Sequence, residues 1–66
     1  MNVKYPDIEV KLTGTDGNAF AIIGKVKAAL RKGAVPREEQ DEFMKEAMSG
    51  DYNNVLCTAM RWVEVS

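Results

Sequence analysis

"IEVKLTGTDGNAFAII", Ile8 to Ile23, changes its hydrophobic period halfway along. Ile8, Val10 and Leu12 alternate with Glu9, Lys11 and Thr13, the two-residue repeat of a half-buried strand. Past the glycines, Ala19, Ile22, Ile23, Val26, Ala29 and Leu30 recur at three- and four-residue steps, which puts them on one side of an α-helix from Asn18 to Lys32. A strand that turns through a Gly-rich loop into a helix predicts a mixed architecture. The strand is expected over residues 8–13, with Pro6 marking its start or an edge because it has no amide donor; Val3 and Tyr5 could prolong the pattern before it.

The same rules carry through the rest of the chain. Asp16 or Asn18 is placed to cap the first helix, and Gly33 to take a left-handed conformation at its end. Pro36 fits the first turn of a second helix, with Glu38 and Glu39 at its positive end and Phe43, Met44, Ala47 and Met48 as its buried stripe. Gly50 ends that helix and Asp51 caps a third. There Tyr52, Val55, Leu56, Ala59, Met60, Trp62 and Val63 span a broad arc, so the third helix is expected to be the most buried. "WVEVS" alternates again, predicting a short strand near Val63 to Val65 that pairs with the first. The expected fold is α+β: an N-terminal strand, a Gly-rich turn, three helices and a short C-terminal strand, the helices in one layer over a minimal sheet. Two strands make a weak sheet, which points to edges completed by another copy.

Sixty-six residues make one small domain, 1–66, without internal repeat or linker. A chain of this size buries only about 60% of the surface its unfolded form exposes, and such domains usually add disulfides, a metal or self-association. One cysteine, Cys57, and no histidine leave self-association or good packing. A lone thiol fits a reducing compartment, and no signal-peptide core or membrane-length apolar run is visible, so a cytoplasmic protein is expected. Nine basic and ten acidic residues give a net charge of −1, which argues against wholesale nucleic-acid affinity. That average hides two opposed segments. Lys25, Lys27, Arg31, Lys32 and Arg37 form a basic run, followed by Glu38, Glu39, Asp41, Glu42 and Glu46 against the single base Lys45.

The loop from Gly14 to Asn18 invites a phosphate-binding reading, since glycines ahead of a helix expose amides to an anion. Its spacing matches neither a P-loop nor a dinucleotide fingerprint: glycines stand at 14, 17 and 24, no lysine follows the turn, and Asp16 would repel phosphate. "GTDG" fits the bare Gly-x-x-Gly of RNA-binding KH domains, but here the loop is acidic and joins a strand to a helix. "DGN" lacks the spaced carboxylates of a calcium loop. A tight turn with a capping side chain is the better reading, and an anion or small-molecule site at 14–18 ranks third among the functions considered.

In the first helix, Lys25 and Lys32 flank the apolar face on one side, Lys27 and Arg31 on the other. A nucleic-acid reader would gather its cations on one exposed side with polar or aromatic residues among them. Flanking rows suit lysines whose stems cover the core edge, with the acids of the second helix as partners. The nucleic-acid reading, through Lys25, Lys27, Arg31, Lys32 and Arg37, is the alternative.

Between the rows lie Phe20, Ala21, Gly24 and Ala28, where a solvated helix would carry Glu, Lys or Gln. Such a bare groove suits close packing, either against another helix of this chain or against a second copy, and these four are the candidate partner-contact residues. Cys57 has Asn54 and Arg61 at helical spacing, but without a histidine no base is at hand, so a half-buried structural thiol is expected. Glu38, Glu42 and Glu46 share a solvated face with no pocket implied around them. One cysteine without histidine does not make a zinc site. No catalytic residue, metal or cofactor is expected.

"DIEVKLTGTDGNAFAIIGKVKAALRKGAVP" and "SGDYNNVLCTAMRWVEV" resemble a group of short proteins without known function from bacterial, plasmid and phage genomes, over nearly the whole chain. The resemblance implies a free-standing small protein of bacterial or phage origin with no catalytic motif. The expected function is that of a small cytoplasmic binding or accessory protein acting through protein–protein contacts, with a homodimer through the first helix or a sheet edge as one form.

Overall fold

The computed structural model describes residues 3–12 and 18–66. Its elements run β1 (Tyr5–Val10), α1 (Ala19–Lys32), α2 (Arg37–Ala47), α3 (Tyr52–Trp62) and β2 (Val63–Val65), the expected α+β order. β1 and β2 pair in parallel, a geometry that needs a long crossover; here all three helices supply it. Tyr5 faces Val63, Glu9 faces Glu64 and Val10 faces Val65, with an irregularity between Tyr5 and Glu9. Pro6 lies in that interval, where a residue without an N–H disturbs no ladder bond. β1 thus starts earlier than residue 8. Beyond it, the Leu12 amide donates to the Ser66 carbonyl at 2.8 Å, and Thr13 falls outside the described residues.

α1 begins at Asn18, whose side-chain oxygen accepts from the Phe20 amide at 2.8 Å; the alternative cap, Asp16, lies outside the described residues. α3 begins at Asp51, whose carboxylate accepts from the Asn54 amide at 3.0 Å. The end of α1 differs from expectation. Gly33 has φ −83°, and the left-handed residue is Ala34, at φ 62°. The Ala34 amide donates to the Arg31 carbonyl and the Val35 amide to that of Leu30, the paired bonds of a Schellman closure, with buried Val35 beside buried Leu30. Gly33 answers a steric demand instead: a Cβ there would stand 2.8 Å from Ile8 Cδ1, where β1 crosses the helix end.

The core is one cluster holding Val10 from β1, Ile22, Ile23, Val26 and Leu30 from α1, Phe43 and Ala47 from α2, Val55, Ala59 and Trp62 from α3, and Val35 and Val63. Phe43 meets Trp62 edge-on at 5.6 Å between ring centroids, and the Tyr5 ring lies 6.0 Å from that of Trp62, tilted by 32°. Two expected stripes are redrawn. In α2, Met48 is 52% exposed, and Gln40 is buried instead, its Nε2 donating to the Val35 carbonyl at 2.9 Å. In α3, Tyr52 and Met60 are exposed and Thr58 is fully buried, so the arc is narrower than the apolar residues alone suggest. No helix among the described residues is long and apolar enough to cross a membrane.

Candidate functional site

α1 and α2 pack against each other, the start of α1 beside the end of α2 and the end of α1 beside the start of α2. The break at Ala34 and Pro36 turns the chain back to make this antiparallel pair. Helical spacing then sets the rim of the seam. On α1, Phe20, Lys27 and Arg31 stand at i, i+7 and i+11, and on α2 and its C-cap Arg37, Met44 and Met48 repeat the same steps.

The two ends of the seam differ in chemistry. At one end Phe20, Ile23, Ala47, Met48, Tyr52 and Val55 line an apolar hollow of about 260 Å³. Phe20 is 71% exposed, Met48 52% and Tyr52 44%, so three large apolar side chains stand in water around it. At the other end Lys27, Arg31, Arg37 and Gln40 surround a basin of about 400 Å³. Gln40 is held from below by its bond to Val35. Beside it, on the outer side of α2, Glu38, Asp41, Glu42 and Lys45 form a mainly acidic band.

The expected partnership between the basic run and the acids of α2 does not form. Glu39 accepts from Lys4 Nζ at 2.7 Å and from the Tyr5 hydroxyl at 2.9 Å, and Glu46 pairs with Arg61 at 2.9 Å. These bonds tie α2 to β1 and α3, on the side away from α1. Lys4 also sits 4.2 Å from the Trp62 ring centroid. Its bond to Glu39 raises the Lys4 pKa, and the bonds from Lys4 and then Tyr5 hold the Glu39 carboxyl below its ordinary value. Desolvation and then the same carboxylate push the Tyr5 hydroxyl up. Lys27, Arg31 and Arg37 have no ion pair among the described residues.

The five candidate nucleic-acid residues are therefore divided. Lys27 and Arg31 share one row, as expected, and Arg37 converges on them because α2 brings it up to that row. Lys25 reaches the other way and donates to the Lys11 carbonyl at 2.8 Å, and Lys32 is exposed outside the basin. Of the candidate contact residues, Phe20 joins the hollow, Gly24 and Ala28 are exposed and Ala21 is half-buried. Among the described residues a Cβ on Gly24 would meet nothing within 4 Å, so no described element packs on the helix at that point.

Cys57 is exposed, not half-buried, and Arg61 is committed to Glu46 and to Thr58 Oγ1. Asn54, the other suggested neighbour, donates to the Glu46 and Ala47 carbonyls and closes the end of α2. The candidate anion loop 14–18 lies outside the described residues except for Asn18, which caps α1. Met48 and Tyr52 were missed as site residues; their signal is an apolar residue on either side of the Gly50 break, where a helix end leaves side chains uncovered. Comparison with protein-family models, curated proteins and solved structures finds no match to this chain.

Proposed function

We propose that this chain is a small binding protein that acts through protein–protein contacts on the α1–α2 seam, centred on the hollow ringed by Phe20, Met48 and Tyr52. The observation that carries this reading is the clustering of those three exposed side chains around one concavity. Scattered apolar residues are ordinary on a protein surface, whereas a contiguous patch marks an interaction site. In a chain this short, leaving a phenylalanine, a methionine and a tyrosine outside the core gives up burial that would otherwise stabilise the fold. Bare Gly24 and Ala28 extend the patch along the outer side of α1 and let a partner backbone come close. Binding without turnover is supported by Arg61, the cation at helical spacing from Cys57, which is already occupied by Glu46 and Thr58. The free thiol also fits a reducing, cytoplasmic setting.

The test is selection of a random peptide-display library on the immobilised chain, with Phe20→Asp as the counter-selection. Peptides that hold the wild type and not the variant are expected; a library that yields nothing above the variant background removes the reading.

A second reading, nucleic-acid association, draws support from the convergence of Lys27, Arg31 and Arg37. It requires duplex affinity that falls steeply with salt as phosphate contacts release counterions. The acidic band at Glu38, Asp41 and Glu42 weighs against it, because those carboxylates repel a long polyanion laid across α2.

A further inference from the structure

The hollow and the basin lie on one seam, and their order along it specifies a partner. We propose that the seam receives an acidic amphipathic α-helix from a different protein, its large apolar side chains seated in the hollow and its carboxylates on Lys27, Arg31 and Arg37. This rests on the binding reading above and adds the chemistry of what is bound.

Three observations point to it. First, the basin cations have no carboxylate partner among the described residues, although α2 carries acids immediately alongside. Glu39 and Glu46 are engaged on the opposite side of α2, and Glu38, Asp41 and Glu42 face outward. The unmet charge on the seam is thus positive, and what complements it must bring carboxylates or phosphates.

Second, the spacing is that of a helix. Phe20 lies seven residues before Lys27 and eleven before Arg31, which at 1.5 Å per residue is about 10 and 16 Å along the axis. A helix lying in the groove between two others would present an apolar anchor and then carboxylates two and three turns further on. An amphipathic acidic helix carries both on one face.

Third, a second copy does not supply that pattern. In a two-fold dimer built seam on seam, a symmetry axis along the seam sets basin against basin, and an axis across it sets basin against hollow. The first sets like charge on like charge, and the second offers the three cations only the hollow's Asp51, whose carboxylate already caps α3 by accepting from the Asn54 amide. A nucleic acid would engage the basin but leave Phe20, Met48 and Tyr52 uncovered, and among the described residues no aromatic side chain lines the basin for a base to stack on.

Two libraries of helix-stabilised 18-residue peptides, displayed against the whole chain, test the proposal. Both randomise an apolar anchor; one fixes Glu or Asp seven and eleven residues away, the other Lys or Arg at the same places. Binders are expected from the acidic library alone. Their affinity should fall at least tenfold between 50 and 300 mM salt, at least tenfold with Arg31→Glu or with Arg37→Glu, and below detection with Phe20→Asp. Both arginines are exposed, and an unchanged amide spectrum for either variant shows that the fold is intact.

Binders lost with Phe20→Asp but indifferent to both arginine variants would overturn the acidic partner and leave the apolar docking site standing. No binder from either library, together with none from the random library, would remove both. A wild-type dimer in sedimentation that Arg31→Glu dissolves would make a second copy the occupant. Salt-steep binding of a DNA or RNA duplex that persists in Phe20→Asp would give the basin to nucleic acid. Each of the last two outcomes overturns the proposal.

Discussion

Ala34 closes α1 with a φ of 62° while Gly33, directly before it, sits at −83°. The residue suited to the left-handed position and the residue that occupies it are neighbours in the wrong order. The Schellman bonds form all the same, so the strain of a Cβ in the left-handed region is carried by the folded state. Ala34→Gly should therefore stabilise the protein by about 0.5–1 kcal/mol, after allowing for the greater freedom of glycine in the unfolded chain. The check is a urea titration with a higher midpoint and an unchanged slope; a lower midpoint would refute the closure described for α1. Gly33→Ala should come out near neutral, since relief of unfolded-state entropy is offset by displacing Ile8 Cδ1 from the 2.8 Å contact.

Glu39 joins β1 to α2 through Lys4 and Tyr5, and this contact is pH-dependent with a fixed sign. Its folded pKa lies below the ordinary 4.5, so its contribution is present above that value and is lost as pH falls through the folded pKa. Lys4 has a folded pKa above its ordinary 10.5, so its share is present below that value and is lost as pH rises through the folded one. Glu39→Gln should therefore be less stable than the wild type around neutrality and converge with it in acid below 4.5. Paired denaturation curves from pH 2 to pH 8 give the answer, and a stability gap that stays constant across that range would show that Glu39 acts through packing alone.

Gln40 is the polar member of the α2 stripe. Its amide is buried against the Val35 carbonyl, the first residue after the α1 closure, so one bond fixes both the turn and the approach of α2 to α1. Gln40→Met keeps the volume and deletes the donor, leaving a buried carbonyl without that partner. The expected loss is about 1–3 kcal/mol. Because the same bond shapes the basin floor, amide signals of Lys27, Arg31 and Arg37 should move as well; a variant neutral in stability with those signals unmoved would mean the bond does nothing for the seam.

What the sequence made legible was whatever depends on one element at a time. Periodicity located three helices, Asp51 announced the start of α3, and the alternation of Val63 to Val65 gave β2. What stayed hidden depends on which elements meet. A helical wheel puts Lys27 and Arg31 in one row, but nothing in α1 says that Arg37 will arrive beside them once the chain turns at Ala34. For the same reason Met48 reads as core within α2, yet the neighbouring helices end before they cover it, and Gln40 reads as surface although Val35 gives it a buried partner. The proposed contact face was half legible: Phe20 and Gly24 were visible as misplaced small and apolar residues, while the hollow also needed Tyr52 from the far side of a turn.

Phe20 offers the cleanest separation of folding from binding. Its side chain is 71% exposed, it lies in the first turn of α1, and that turn contains no acidic residue. An aspartate there loses little burial and gains a favourable interaction with the positive end of the helix, about 0.3–1 kcal/mol. Phe20→Asp is thus expected to keep or slightly raise the thermal midpoint while abolishing every contact that uses the hollow, and Ile23→Asp, from the same wall but only 4% exposed, should unfold the chain outright. Thermal denaturation of the two variants beside the wild type decides the matter. If Phe20→Asp lost stability as Ile23→Asp does, Phe20 would belong to the core, and the apolar end of the seam would be no docking surface.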